Sequence, residues 1–534
     1  MTALFLILIA VVILASIWLN TLSNKIGFPA LLAFMLLGML FANTGLWPVR
    51  FDNYDMAKET CTVALVFIMF YGGFGTRWQA VKPVVRESVL LASVGVVLTS
   101  GCVGLFCHYV LGWGLAESML FGAVMGSTDA ASVFSILRSK RLGLKNNTAP
   151  MLEMESGSND PAAYMCTAIL LAIMNGTSSG GFIAWNIFAQ IVFGAGCGVG
   201  IAFLATRVFR MITFTTEGFD SLFILAVVLA SYAIPTLIGG NGYLSAYLVG
   251  IILGNEEFRD KKSLVHFFDG LTGLMQMLIF FLLGLLARPT MLHKAVLPAI
   301  AIFVFMLLVA RPVAVFSVLT PFRKYSFKQQ SLISFVGLRG AASIVFAIMA
   351  MVDPAFIEHD IFNIVFVVVL LSISIQGSLI PWAAKTFDMV DPKADIMKTF
   401  NDYSEGADMN FGRISITPDS SWAGKALREL DLPKNVLFVM ILRDGERIRP
   451  RGSTVLQAGD EVISMTHGFA DSSASLYEKT IKVSSRRVGQ PISMYPGAGL
   501  IVLIRRGEEN IIPRGDTILE AGDRIVILNF NKQA

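Results

Sequence analysis

Two stretches of the chain, Gly126-Ser-Thr-Asp-Ala-Ala-Ser-Val133 and Gly337-Leu-Arg-Gly-Ala-Ala-Ser-Ile344, share the frame G-x-x-x-A-A-S followed by a β-branched residue. Each lies inside an apolar segment of about 20 residues, which is the length that crosses a bilayer. The small and polar residues favour an unwound helix, because its freed backbone groups can then face a cavity. Close packing of small residues is the alternative, but it leaves the charged residues in both stretches unexplained.

The second stretch comes seven apolar segments after the first. Because seven is an odd number, the two stretches cross the membrane in opposite directions. They therefore form an inverted repeat. This arrangement is typical of secondary transporters, whose broken helices meet near the membrane midplane.

Three charged residues occupy the middle of such segments: Asp129 and Arg339 in the two stretches, and Asp160 in the segment that follows the first. An ionised side chain at that depth costs about 3 kcal/mol on insertion scales and is rare unless it lines an ion or proton path. Counting the helical rise along each segment brings all three residues to a similar depth. We therefore expect them to belong to one cation site.

The composition predicts an all-α polytopic membrane domain. The chain has 534 residues, of which 55% are hydrophobic and only 15% charged, so most of it is expected to lie in lipid. The net charge of +4 comes without a basic stripe and interleaved aromatics, which argues against a nucleic-acid partner. We predict about thirteen spans, the first retained rather than cleaved as a signal. Their predicted bounds are 3–20, 28–44, 58–75, 86–112, 115–138, 148–175, 181–209, 219–238, 241–254, 264–287, 291–319, 328–351 and 360–385.

The basic residues between these spans predict the orientation. One set of alternate loops contains sixteen Lys and Arg residues, whereas the other set contains four. Basic loops stay on the cytoplasmic side. We therefore expect a multi-pass protein of the cytoplasmic (inner) cell membrane, with its N-terminus outside and its C-terminal region in the cytoplasm.

The residues around Asp160 predict its chemistry. A carboxyl group in a dry helix can hold a proton or release it to hold a cation, and this competition is sufficient for coupled exchange. Neutral oxygens from Thr128, Ser156 and Asn159 suit a hard monovalent ion such as Na⁺ or K⁺ at Asp160. No cofactor is needed for this chemistry.

Further charged residues lie near the same segments. We expect Glu155 to pair with Arg339, since pairing avoids two isolated buried charges. We expect Arg311 to extend toward the membrane surface and Glu153 to be solvated near the interface.

These motifs resemble the monovalent cation:proton antiporter-1 family of sodium/proton and potassium/proton exchangers, over residues 1–385. That family carries a T-D pair, an E-S-x-x-N-D motif and an R-G pair, which are found here as Thr128-Asp129, Glu155–Asp160 and Arg339-Gly340. The resemblance implies a dimeric, mostly electroneutral exchanger with unwound crossed helices. It also assigns roles to seven residues: Asp160 as the ion- and proton-binding carboxylate, with Asp129, Thr128 and Ser156 contributing, Asn159 orienting the site, and Glu155 bridging to Arg339.

The C-terminal region has a different composition. A linker is predicted over 388–409, followed by an α+β regulatory region whose alternating strands and A-G-D turns occur twice, over 410–470 and 471–534. The two copies resemble the TrkA-C type of regulator-of-potassium-conductance module. This resemblance implies dimerisation and a role in potassium handling.

Some relatives of these modules bind a cyclic dinucleotide, so a regulatory nucleotide is one possible ligand of this region. Five arginines could contact its phosphates, and solvated loop charges are the alternative interpretation. The five are Arg443, Arg449, Arg451, Arg505 and Arg514.

Together, these features predict an exchanger of a monovalent cation, K⁺ rather than Na⁺, for H⁺, serving cation, pH or volume homeostasis. A Na⁺/H⁺ antiporter of the same mechanism is the first alternative. A ligand-gated cation channel is the second, although the sequence contains no T-V-G-Y-G-like filter. The sequence also lacks G-x-x-x-x-G-K-[ST], which disfavours an ATP-driven pump.

Overall fold

A computed structural model gives the fold. It separates the chain into two compact units, 1–404 and 405–534. The residues that the structure describes are 10–19, 21, 30–42, 53–140, 142–176, 179–211, 218–256, 261–288, 292–391, 409–417, 420, 422–430, 436–443, 446–467, 474–481, 488–492, 499–506, 509–511 and 517–530.

The first unit is helical, as the predicted spans require. Seven of its described helices are long and apolar enough to cross a membrane. A backbone in lipid must satisfy its own hydrogen bonds, which is why these apolar runs form helices. The helices are α1 (Ala10–Leu19), α2 (Ala30–Phe41), α3 (Tyr54–Gly75), α4 (Val85–Tyr109), α5 (Leu115–Val124), α6 (Ala130–Ser139), α7 (Thr148–Met174), α8 (Gly180–Met211), α9 (Phe219–Leu237), α10 (Gly242–Gly254), α11 (Lys261–Leu286), α12 (Leu292–Phe322), α13 (Phe327–Phe335), α14 (Ala341–Val352) and α15 (Ile361–Thr386).

Two of the predicted spans are interrupted in the middle. Residues 125–129 leave the helical conformation between α5 and α6, and residues 336–340 do so between α13 and α14. The prediction of two unwound segments in the repeated frame is therefore confirmed.

A π-helical turn in α15, Ser372–Gln376, satisfies backbone groups at the second interruption. The hydroxyl of Ser372 accepts a hydrogen bond from the Arg339 N–H at 3.0 Å, and the Gln376 amide donates to the Phe335 carbonyl at 2.5 Å. Extra residues in a helical turn often mark functional positions. Here the π-helical turn replaces hydrogen bonds that the broken helix has lost.

Small residues bring other helices into close contact. A Cβ atom placed on Gly250 of α10 would lie 2.2 Å from the Phe70 carbonyl oxygen of α3, and one on Gly284 of α11 would lie 2.1 Å from the Met35 carbonyl oxygen of α2. Only glycine permits such close approach, which is the usual means of packing membrane helices.

A two-stranded antiparallel sheet joins the α6–α7 connection to the end of the helical unit. Strand β1 (Gly143–Leu144) pairs with β2 (Val390–Asp391), which follows α15. Lys145, next to β1, donates its backbone N–H to the Met389 carbonyl and forms an ion pair with Asp388 at 2.9 Å. The start of the predicted linker is therefore held by hydrogen bonds and an ion pair to the connection between α6, which follows Asp129, and α7, which carries Asp160.

The second unit contains two four-stranded antiparallel sheets. The strands are β3 (Met409–Ser415), β4 (Val436–Arg443), β5 (Glu446–Ile448), β6 (Glu461–His467), β7 (Ala474–Thr480), β8 (Gly499–Arg506), β9 (Glu509–Ile511) and β10 (Arg524–Phe530). Their orders in the two sheets are β3-β6-β4-β5 and β7-β10-β8-β9, which correspond position by position. A 3₁₀ turn, Leu427–Glu429, supplies helical structure in the first module.

The two sheets also repeat one buried ion pair. Arg443 donates two hydrogen bonds to Asp460, both at 2.7 Å, and Arg506 donates two to Asp523, both at 2.9 Å. The Arg443 hydrogen bonds lower the pKa of Asp460. Burial raises the pKa of Asp523, but the Arg506 guanidinium outweighs it and the pKa is lowered as well. Both modules are therefore held by an ionised carboxylate in the same place.

This ion pair corrects the interpretation of Arg443 as a phosphate contact. Its guanidinium also donates to the Val455 carbonyl at 2.8 Å, so it holds its own module together. Arg449 and Arg451 are exposed. The side chain of Arg505 and the whole of Arg514 lie outside the described residues.

Candidate functional site

The first interruption lies against α7, and side chains of α7 satisfy its backbone. Asn159 donates to the Thr128 hydroxyl at 2.6 Å and accepts from the Thr128 N–H at 3.3 Å. Ser156 donates to the Thr128 carbonyl at 2.7 Å and accepts from the Ala130 N–H at 2.9 Å. These four contacts hold the unwound backbone where water is scarce, so Asn159 and Ser156 fix the shape of the site.

Asp160 follows directly on α7 and is buried, with 4% of its surface exposed. The Ser127 hydroxyl donates a hydrogen bond to its carboxyl group. Pro161 comes next and has no N–H, so the carbonyl of Gly157 loses its helical partner. The acid therefore lies beside the unwound segment and within one turn of a carbonyl that the helix leaves free.

Asp129 is in the interruption itself and caps α6. Its carboxylate accepts the Ser132 N–H at 3.1 Å, three residues ahead, and the Ser132 hydroxyl also donates to it. Its own N–H donates to the Leu338 carbonyl at 2.8 Å, which joins the two interruptions. A Cβ on Gly340 would lie 2.4 Å from the Asp129 carboxylate, so the second interruption supplies the space that the first one fills.

Arg339 lies in the second interruption and is almost fully buried. Its guanidinium donates to the Ser127 carbonyl, and the hydroxyl of the same serine donates to Asp160. Ser127 therefore links the Arg339 guanidinium to the carboxyl group of Asp160. The positive charge of the guanidinium compensates a backbone carbonyl of the broken helix.

The partner of Glu155 differs from the prediction. Glu155 forms an ion pair with Arg311 of α12 at 2.6 Å, and both side chains are buried, with 1% and 5% of their surfaces exposed. The predicted pair with Arg339 is therefore wrong, and so is the expectation that Arg311 extends to the membrane surface. Gly337 makes room for the pair, since a Cβ there would lie 2.7 Å from Arg311 Nε. Each charge stabilises the other in this buried position, because burying either one without its partner would cost free energy.

A cavity of about 680 Å³ lies at the site, between the second half of α3, the first interruption, α7 and α11. Four acids line it, and no Lys or Arg is among its lining residues. Glu153 is one of the acids; it is buried, although the sequence suggested a solvated position. The other three are Asp129, Asp160 and Asp269, and the polar lining also includes Ser127, Thr128, Ser156 and Thr272. A cavity of this composition attracts cations.

Sequence reasoning missed several residues of this site. Ser127 and Ser372 are small polar residues whose roles depend on which helices meet, and no sequence spacing indicates them. Asp269 and Arg311 carried a usable signal, because each is a charged residue inside an apolar span.

The fold and site define a class: a polytopic membrane transporter in which two broken helices meet beside a buried carboxyl group. The chain belongs to the sodium/hydrogen exchanger family, whose transmembrane-domain profile matches residues 8–386. A profile for the TrkA-C domain matches twice, over 411–463 and 476–528.

Curated relatives match this chain over most of their length. The chain is 33% identical over 464 residues to the K(+)/H(+) antiporter NhaP of Alkalimonas amylolytica, covering 86% of this chain and 80% of the relative. It is 32% identical over 472 residues to the K(+)/H(+) antiporter NhaP2 of Shewanella sp. (strain MR-4), covering 85% and 80%. It is 26% identical over 400 residues to the Na(+)/H(+) antiporter ApNhaP of Aphanothece halophytica, covering 70% and 71%.

A solved structure has the same fold. The sodium proton antiporter MjNhaP1 from Methanocaldococcus jannaschii, determined at pH 8, superposes with a TM-score of 0.61 at 24% identity. The match covers 72% of this chain and 99% of that one.

Proposed function

We propose that this protein exchanges a monovalent cation, K⁺, for H⁺ across the cytoplasmic membrane, with Asp160 as the group that carries either one. The observation that supports this most directly is the position of Asp160, which is buried and lines a cavity that contains acids and no basic residue. A proton and an alkali cation compete for its single negative charge. That competition couples the two fluxes, because the site cannot hold both at once.

The roles of its neighbours favour an electroneutral exchange. Asn159 stands next to Asp160 and is hydrogen-bonded to Thr128, and its amide cannot ionise, so it adds no second acid. Asp129 is committed to the start of α6 through Ser132. At the first interruption, Asp160 is then the carboxyl group that we propose exchanges its partner, which corresponds to one proton for one monovalent cation.

The choice of K⁺ has two supports. The relatives with 32–33% identity carry the name K(+)/H(+) antiporter. The tandem TrkA-C modules belong to a type that the sequence resemblance connects with potassium handling. Na⁺ is the alternative, supported by the relative ApNhaP, which is named a Na(+)/H(+) antiporter.

Topology and regulation complete the proposal. The distribution of basic loops supports a cytoplasmic C-terminal region, which we propose regulates the exchanger, and the family resemblance supports a homodimer. A nucleotide remains a candidate ligand of the C-terminal modules. With Arg443 engaged by Asp460, its phosphates would be left to Arg449, Arg451, Arg505 and Arg514.

Purified protein in proteoliposomes tests the proposal. Dissipation of an imposed pH gradient is measured on adding K⁺, Na⁺ or Li⁺ in turn, with Asp160→Asn and, as a matched control, Asp55→Asn at an exposed position on α3. We expect K⁺-dependent proton flux that Asp160→Asn abolishes and Asp55→Asn preserves. Flux that persists in Asp160→Asn would refute the site. A cation current without proton coupling would favour the channel.

A further inference from the structure

A stripe of polar side chains on α11 faces the same cavity as Asp160. Asp269, Thr272 and Gln276 lie at positions i, i+3 and i+7, which share one face of a helix, and all three line the cavity. Asp269 is exposed, Thr272 is buried and Gln276 is half-buried. The exposed end of the stripe is therefore at Asp269.

Asp269 stands at the exposed end of the stripe. The Tyr71 hydroxyl of α3 donates a hydrogen bond to its carboxylate at 3.0 Å. No Lys or Arg forms an ion pair with Asp269 among the residues that the structure describes. Its negative charge is therefore available to a mobile cation.

Thr272 provides an independent indication of a ligand. Its side chain is buried, with 7% of its surface exposed, and its hydroxyl oxygen has no hydrogen-bond partner within the described part of the chain. Buried polar groups are almost always bonded to protein, water or a ligand. This hydroxyl lies on the cavity wall one helical turn from Asp269, so its free lone pairs are available to a ligand in the cavity.

We propose that Tyr71, Asp269 and Thr272 form a second cation-binding site, which receives an alkali cation at the cavity mouth before it reaches Asp160. Carboxylate and hydroxyl oxygens are the ligands that such hard cations prefer. A negative site in a low-dielectric cleft also raises the local concentration of counter-ions. This inference rests on the proposed exchange function and adds the entry route to it.

The site has a consequence for kinetics that differs from that of Asp160. Asp269 is exposed whereas Asp160 is buried, so we expect Asp269 to set how readily a cation enters from the side on which the cavity opens. Proton coupling remains with Asp160. Loss of Asp269 should therefore raise the apparent KM for the cation at one face and leave the maximal rate and the proton dependence intact.

Sided transport assays on the full-length protein test this. We expect Asp269→Asn to raise the KM for K⁺ about tenfold at the face into which the cavity opens, with no change at the other face. Thr272→Val and Tyr71→Phe, which remove one hydroxyl each, should raise it less. Asp55→Asn, an exposed change elsewhere, should leave the KM unchanged. An unchanged KM in Asp269→Asn, an equal rise at both faces, or abolished exchange would overturn the second site.

A binding measurement separates this inference from the exchange function. Thermal stabilisation of the purified Asp160→Asn protein by KCl, with choline chloride as the ionic-strength control, reports binding where Asp160 is absent. We expect K⁺ to raise the Tm of this variant and the added Asp269→Asn change to remove the rise. If wild-type protein transports nothing but this K⁺ effect persists, the exchange proposal fails and the second site stands. If transport proceeds and the Tm effect is absent, the second site fails.

Discussion

The two interruptions of the membrane domain share one sequence frame but carry side chains of opposite charge. At the third and fourth positions, one has Thr128-Asp129 and the other has Arg339-Gly340. Both leave the helix at the same point and resume it at the Ala-Ala pair. The shared glycine and small residues thus set the backbone, whereas two positions in each frame set the charge.

The differing positions also fit one another. The acid of the first interruption occupies the space that the missing Cβ of Gly340 leaves, and Arg339 donates to the carbonyl of Ser127. The second interruption therefore supplies both the space and the cation, and the first supplies the acid that fills that space and the carbonyl that accepts from that cation. Four sets of variants test this comparison, from the largest expected effect to the smallest.

Replacing Arg339 should have the largest effect. In Arg339→Met the Ser127 carbonyl loses its cationic donor and the buried acids lose their nearest positive charge, a change of the kind that costs about 3–5 kcal/mol. We expect loss of exchange together with a lower Tm in detergent. Arg339→Lys keeps the charge and should recover part of both. A Met variant with normal exchange and Tm would contradict the compensating role.

Gly340→Ala should come next. The new Cβ would lie 2.4 Å from an Asp129 carboxylate oxygen and 2.5 Å from the Asp129 Cβ, and this carboxylate is held at the start of α6, so the backbone has to move. Overpacking of this kind costs about 1–3 kcal/mol. We expect a severe loss of proton flux in proteoliposomes. Gly101→Ala is the matched control, since a Cβ there meets nothing within 4 Å. Equal activity of the two alanine variants would rule out the proposed fit.

Gly337→Ala should have a smaller effect than Gly340→Ala. Its Cβ would lie 2.7 Å from the Arg311 side chain, which is flexible and can shift without a movement of the backbone. Because that shift disturbs the ion pair with Glu155, we expect a drop of about 1 kcal/mol in stability with exchange reduced but present. The Tm and the proton flux are measured on the same preparation. A loss as complete as that of Gly340→Ala would contradict this ranking.

Replacing the serines at the equivalent position of the two frames should have the smallest effect. Only one of the two replacements should change the protein measurably. Ser132 donates to Asp129, whereas the hydroxyl of Ser343, at the equivalent position, is buried and has no partner among the described residues. We expect Ser132→Ala to cost about 1 kcal/mol and to weaken cation affinity, and Ser343→Ala to stay within about 0.5 kcal/mol of wild type. Apparent KM and Tm measure both. Equal effects would mean that the two frames are not distinguished at this position.

The sequence predicted these interruptions because glycine, serine and threonine cluster around a charged residue inside an apolar run long enough to span the membrane. The contacts of Asn159 and Thr128 also follow from adjacent spans of matched depth. The sequence did not predict the partner of Glu155, because the position of a residue along its span gives its depth in the membrane but not which helices are neighbours. The predicted spans did contain a hint, since Glu155 and Arg311 lie about 10 Å and 12 Å from the same membrane face and Arg339 about 17 Å.

Side chains that act through a single geometric detail were harder to anticipate. Ser372 binds the Arg339 backbone only because a π-helical turn interrupts α15, and the sequence of that turn has no distinguishing mark. Thr272 lines the cavity because α11 faces α7 across it, which is a property of tertiary packing. Motifs thus pointed to the residues around the first interruption, and the fold supplied their hydrogen-bond partners.

The small sheet of β1 and β2 has a mechanical consequence for the C-terminal end of the membrane domain. Any load on the chain beyond Asp391 is borne first by backbone hydrogen bonds to residues 143–144 and by the Lys145–Asp388 pair. Residues 143–144 lie in the short connection between α6, whose first turn Asp129 caps, and α7, which carries Asp160. Tension or slack at this exit would therefore act on the connection between the two acids as well as on the end of α15.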